Sequence, residues 1–104
     1  MVKIYKALLF LIFTTPFSLF AQDGSIHGKV THLRSKESLP GVNVVADDTT
    51  GTVTDSKGEY QLPLSPGNHK IDFRFIGFKT MGKKVMISAG QTTRVDVLLE
   101  ESAT

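Results

Sequence analysis

Beyond residue 24 the chain alternates. From Ser25 to Thr31, Ile26, Gly28 and Val30 fall on one side of an extended segment, and His27 and Lys29 fall on the other. A period of two is the mark of a strand with one buried face. His69–Phe75 shows it most cleanly: Ile71, Phe73 and Phe75 point one way, and Lys70, Asp72 and Arg74 the other. Thr92–Leu99 likewise sets Val95, Val97 and Leu99 inward against Arg94 and Asp96. Further strands are predicted over Val42–Ala46, Thr52–Thr54, Glu59–Leu62 and Lys79–Ile87. In the third of these Tyr60 and Leu62 share a face, and in the last Met81, Val85 and Ile87 are the apolar contributors.

The breaks between these segments carry turn chemistry. Leu39-Pro40-Gly41 is a turn, because Pro40 fixes its own φ and Gly41 tolerates a positive one. Asp47–Gly51 is a polar turn. Asp55-Ser56-Lys57-Gly58 is predicted as a tight hairpin joining Thr52–Thr54 to Glu59–Leu62, with Asp55 accepting backbone N–H bonds and Gly58 at positive φ. Pro63–Asn68 reads as a loop, Gly77 as a bulge or bend, and Ser88–Gln91 as a turn around Gly90. About seven short strands with turns between them, and no helical period, predict an all-β fold: a seven-stranded antiparallel β-sandwich.

The first 21 residues follow another pattern. Lys3 and Lys6 precede the uncharged, largely apolar run Ala7–Phe20, and Ala21 stands immediately before the polar Gln22-Asp23-Gly24. That order predicts a secretory leader cut after Ala21. The competing reading, an uncleaved anchor, needs roughly 20 apolar residues, and this run is shorter and contains Pro16. No Cys follows the leader, which excludes a bacterial lipoprotein. The expected organisation is a signal peptide over 1–21, one domain over 22–99 and an acidic tail over 100–104.

Composition sharpens this picture at two points. The formal charge is +2, but Lys3 and Lys6 account for the excess, so the domain itself is neutral and exerts no long-range pull on nucleic acid or anionic lipid. The 104 residues include no Cys. Small exported domains of eukaryotes usually staple themselves with disulfides, so their absence favours a bacterial envelope. A core this small predicts a stability on the order of 5 kcal/mol.

Four stretches in order, Gly28-Lys29-Val30, Leu39–Val44, Gly51–Tyr60 and Phe75-Ile76-Gly77-Phe78, behind a leader ending Phe20-Ala21-Gln22, resemble the carboxypeptidase regulatory-like domain over residues 25–99. The resemblance implies a transthyretin-like (prealbumin-like) sandwich. It also implies the setting in which such domains occur, at the N-terminus of TonB-dependent outer-membrane receptors of Bacteroidetes or beside metallocarboxypeptidase domains, as accessories to the catalyst. The implied location is the periplasm or outer membrane of a Gram-negative bacterium. The implied partner is an envelope protein, with the receptor plug and barrel or the TonB system as its forms. The turn residues Pro40, Gly41, Asp55, Gly58 and Gly77, with the core aromatics Tyr60 and Phe73, make the signature one of folding rather than of ligand binding.

Catalytic chemistry finds no arrangement here. His27 and His32, five apart, have no metal-ligand spacing and read with His69 as solvated surface residues. Asp47, Asp48 and Asp55 are explained by turns and lack a calcium-loop register. The loop serines lie in no Gly-x-Ser-x-Gly elbow, and the zinc motif His-x-x-Glu of metallocarboxypeptidases is missing. No enzyme activity, cofactor or metal is expected.

Two surfaces remain for binding. In Phe75-Ile76-Gly77-Phe78, strand alternation buries only part of the run; either Gly77 turns all three apolar side chains inward, or Phe75, Ile76 and Phe78 offer an anchor to a partner. An open edge strand is the other, with Lys79, Lys83 and Lys84 either guarding it or forming a basic cluster without the aromatics that nucleic acid would need. Carbohydrate or small-ligand binding is the alternative function, supported by fold analogy alone. Glu100–Thr104 leaves two readings of the chain, a stand-alone module or the leading piece of a longer receptor, and the oligomeric state open.

Overall fold

The computed structural model describes residues 22–103, so the expected leader 1–21 lies outside the described residues. Eight strands follow in order: β1 (Gly24–His32), β2 (Asn43–Ala46), β3 (Thr50–Val53), β4 (Glu59–Leu64), β5 (Gly67–Arg74), β6 (Met81–Ile87), β7 (Thr92–Arg94) and β8 (Val97–Leu99). They form two sheets. In one, β1 is central, with β4 on one side and β7 then β8 on the other; the second runs β3-β2-β5-β6. The alternating residues of both sheets meet in one core, in which Ile26, Val30, Val44, Ile71, Phe73 and Leu99 are fully buried. The fold is the all-β sandwich expected from the alternation.

The C-terminal pair counts as one strand in the expected tally of seven, and its pairing explains why it is split. β7 and β8 run parallel to β1 and keep a single register, Arg94 opposite His27 and Val97 opposite Val30. Between them the chain leaves the ladder. The Lys29 N–H donates to Asp96 Oδ1 at 2.9 Å in place of a backbone carbonyl. The Val95 carbonyl turns inward and accepts the Tyr60 hydroxyl at 2.5 Å. Gly28 makes room: a Cβ there would lie 1.9 Å from that carbonyl oxygen. A glycine at an inward strand position is the sequence trace of such a close approach. The other sheet pairings are antiparallel.

Three expectations need correction. Asp55–Gly58 is not a hairpin: β3 pairs with β2 in one sheet and β4 with β1 in the other, so this turn carries the chain between sheets. Its local chemistry is as read, with Asp55 Oδ1 accepting the N–H groups of Lys57 and Glu59 at 2.8 and 2.9 Å. Second, the loop expected over Pro63–Asn68 shrinks to Ser65-Pro66, because β4 runs through Leu64 and β5 starts at Gly67. Pro63 is tolerated because β4 is an edge strand whose outer side needs no N–H. Third, Glu100–Ser102 is no trailing tail. Glu101 bridges Phe78, the Lys79 N–H donates to the Glu100 carbonyl, and the Ser102 N–H donates to the Gly77 carbonyl, each bond 2.9 Å.

Candidate functional site

The Phe75–Phe78 turn caps one end of the sandwich after β5. The Phe78 N–H donates to the Phe75 carbonyl at 2.9 Å. Gly77, at the third position, has φ +85°, the value a type II turn demands and a side chain with a Cβ resists. The two outer aromatics fold inward. Phe75 and Phe78 are half-buried against the core, their ring centroids 5.3 Å apart. Neither arrangement open from the sequence holds for the whole run: two side chains turn in, and Ile76, at the tip, is 88% exposed.

That tip is braced. His32 meets Phe78 edge-on, with centroids 5.5 Å apart and planes at 85°. Its Nδ1 accepts the N–H groups of Arg34 and Ser35 at 3.0 and 3.3 Å. The imidazole proton therefore sits on Nε2, which faces Glu101 Oε2 at 3.3 Å. Lys79 Nζ lies 3.4 Å from Glu100. Residues 100–102 thus lie along the back of the turn, and a hollow between them and the β1 end is lined by His32, Leu33, Arg34, Lys79 and Glu101.

Of the other turn residues, Gly41 borders this surface: a Cβ there would lie 3.7 Å from the Phe75 ring. Gly41 and Gly58 have φ +83° and +76°. Pro40 is exposed on the turn whose Leu39 carbonyl accepts the buried Thr54 hydroxyl at 2.6 Å, while the Val42 N–H donates to the Thr54 hydroxyl oxygen at 2.9 Å. Asp55 is held below the usual carboxylate range, first by the Glu59 N–H and then by that of Lys57. Thr54 carried no sequence signal beyond a strand end.

The solvated reading of the histidines fails at two positions. His32 is engaged as described, its side chain 17% exposed. His69, 11% exposed, places Nδ1 2.5 Å from Asp47 Oδ2 and Nε2 2.7 Å from the Ser65 carbonyl. Both partners accept, so only the doubly protonated ring completes both bonds. The Asp47 hydrogen bond, then that of Ser65, pushes the His69 pKa up. Asp47 is lowered by the Lys70 N–H and by His69. This clasp ties the β2–β3 turn to the β4–β5 turn.

Among the described residues, no three His, Cys, Asp or Glu side chains come together to hold a metal ion. Among the described residues, the exposed large apolar side chains are Val53, Ile76, Met86 and Leu98, none of them aromatic. Tyr60 is buried, its ring edge-on to Phe73 at 5.6 Å. The groove that includes it, between His27, Glu59, Gln61 and Arg94, therefore lacks the stacking platform that sugar sites usually carry.

Comparison with known proteins agrees with the fold. The family described as CarboxypepD_reg-like domain matches residues 26–104. Two TonB-dependent receptors of Formosa agariphila are similar: P3, 33% identical over 81 residues, and P39, 44% identical over 43. These alignments cover 77% and 40% of this chain but only 8% and 4% of the receptors. Among solved structures, the Bacillus anthracis TIE protein superposes with a TM-score of 0.64 at 20% identity, over 77% of this chain and 17% of that one. At that identity the likeness is one of fold.

Proposed function

Because the chain belongs to the CarboxypepD_reg-like domain family, we propose that it is an exported, non-catalytic contact module of a Gram-negative envelope, acting beside or within the machinery of a TonB-dependent receptor. The similarity to two such receptors supports the setting. The leader pattern of residues 1–21 supports export. The observation that carries the contact role is Ile76: a large apolar side chain, almost wholly in solvent, on a turn made rigid by two inward aromatics and by residues 100–102. A rigid, exposed apolar anchor costs little entropy when a partner pocket covers it. Phe75 and Phe78 support it from below.

The test is comparative. The chain is expressed with its leader in a Bacteroidetes host, and the envelope is fractionated. The expected product begins at Gln22 by mass spectrometry and sits in the periplasmic or outer-membrane fraction. Envelope proteins captured by the parent chain and by Ile76→Ser are then compared. Losing full burial of an isoleucine, worth about 1.5–3 kcal/mol, weakens a contact about 10- to 100-fold. Recovery of the same proteins in the same amounts by both chains would remove Ile76 from the interface.

A further inference from the structure

The four sheet edges are not alike. β4 carries Pro63, the β7–β8 edge is interrupted at Val95-Asp96, and β3 offers four uncharged residues. β6 is the long free edge: seven residues that pair with β5 alone. It also concentrates charge without an answer. Lys84 stands directly opposite Lys70, and Lys83 opposite the fully buried Ile71. Among the described residues, none of these three lysines forms an ion pair, although the neighbouring Asp72 and Arg74 do.

Like charges facing each other across a ladder are destabilising. Lysines on an edge, above all one at an inward register position such as Lys83, repel unselective pairing. The same charges are met only by a strand that brings carboxylates to them. The chain shows this chemistry once, immediately before β6: Lys79 donates its N–H to the Glu100 carbonyl at 2.9 Å and sets Nζ 3.4 Å from the Glu100 carboxylate. Lys83 and Lys84 repeat the lysine without the partner, and Met86, 60% exposed, adds an apolar contact on the outer side.

We propose that the free edge of β6 docks an extended acidic segment of another polypeptide, which adds as a further strand with carboxylates beside Lys83 and Lys84 and an apolar side chain beside Met86. Main-chain hydrogen bonds supply the affinity and the lysines the selection. This surface lies on a sheet edge distinct from the Ile76 turn, so it stands or falls independently of the contact proposed there.

The experiment is a nuclear magnetic resonance titration of the 15N-labelled chain with two end-blocked nonapeptides, one carrying an adjacent Glu-Glu pair set among Thr and Val, so that one carboxylate falls on each face of the added strand, the other with Lys in place of Glu. The Glu peptide is expected to shift the amide resonances of Met81–Ile87, slow their hydrogen exchange, and bind less tightly as salt rises. The Lys peptide is expected to bind at least about ten-fold more weakly. The double variant Lys83→Glu, Lys84→Glu, at exposed positions, should reverse that preference. If the double variant does not fold, the two peptides against the parent chain still decide. Equal binding of both, shifts confined to other strands, or no shift with either peptide overturns the proposal.

Discussion

Tyr60 holds the C-terminal strand in place through one atom. Its hydroxyl satisfies the Val95 carbonyl that the β7–β8 break removes from the ladder, and a buried carbonyl left without a donor is costly. Tyr60→Phe keeps the ring against Phe73 and deletes only that donor, so it should destabilise by about 1–3 kcal/mol in urea unfolding. Gly28→Ala, whose Cβ would overlap the same carbonyl, should cost more, about 3 kcal/mol or above, because backbone and not a flexible side chain must move. A smaller loss in Gly28→Ala than in Tyr60→Phe would contradict this account of the break. His69 makes the pH prediction. Its folded pKa is raised, so the stabilisation is complete below the unfolded value near 6.5 and is lost as pH rises through the folded one. Asp47 is lowered, so its share is present above the unfolded carboxylate value and disappears as pH falls through the folded one. Urea midpoints of the parent chain should therefore decline above about pH 6.5, and His69→Gln should flatten that decline. An identical slope in the variant would assign the decline to other groups.

At the scale of elements, what the sequence announces and what it hides divide along one line. A strand's existence and its inward face follow from local alternation, which is why Ile26, Val30, Ile71, Phe73, Val97 and Leu99 are all recognisable as core. A strand's partner depends on the far side of the sandwich. Asp55–Gly58 has every local attribute of a hairpin turn, with the Asp55 N–H bonded to the Glu59 carbonyl at 2.9 Å. Whether Glu59–Leu64 then continues beside β3 or crosses to β1 is settled by Tyr60 and Leu62 packing opposite Gly28 and Ile26. The candidate site was legible by half for the same reason. Its apolar run and Gly77 stood out, but the bracing by His32 and Glu101 joins residues 69 apart in sequence. Bracing of this kind has a measurable consequence. Removing residues 100–104 deletes two 2.9 Å hydrogen bonds to the turn, from the Lys79 N–H to the Glu100 carbonyl and from the Ser102 N–H to the Gly77 carbonyl, which together make the Phe78–Glu101 bridge. Amide exchange at Gly77, Phe78 and Lys79 should then accelerate while Ile71 and Phe73 keep their protection. Unchanged exchange at the turn would show that its own type II geometry suffices.

The whole molecule is organised around β1, which reaches from β4 on one side to β7 and β8 on the other, and so joins the two ends of the domain. Among the described residues, only β2–β3 and β5–β6 are local hairpins. Every pairing of β1, and that of β2 with β5, closes a long loop. Such topology implies folding in milliseconds to seconds rather than microseconds. It also implies that neither sheet is stable alone, because each buries its inner face only against the other. The contact of Tyr60 with Phe73 crosses that boundary, one ring from each sheet at 5.6 Å. A loss applied to one sheet must then be felt in both. Native-state hydrogen exchange on Tyr60→Phe should lower the protection of Ile71 and Phe73 in the second sheet by the same free energy as that of Ile26 and Val30 in the first, as a single cooperative unit requires. A loss confined to Ile26 and Val30, with Ile71 and Phe73 unaffected, would mean that β2, β3, β5 and β6 hold together on their own and that the sandwich is two coupled units rather than one.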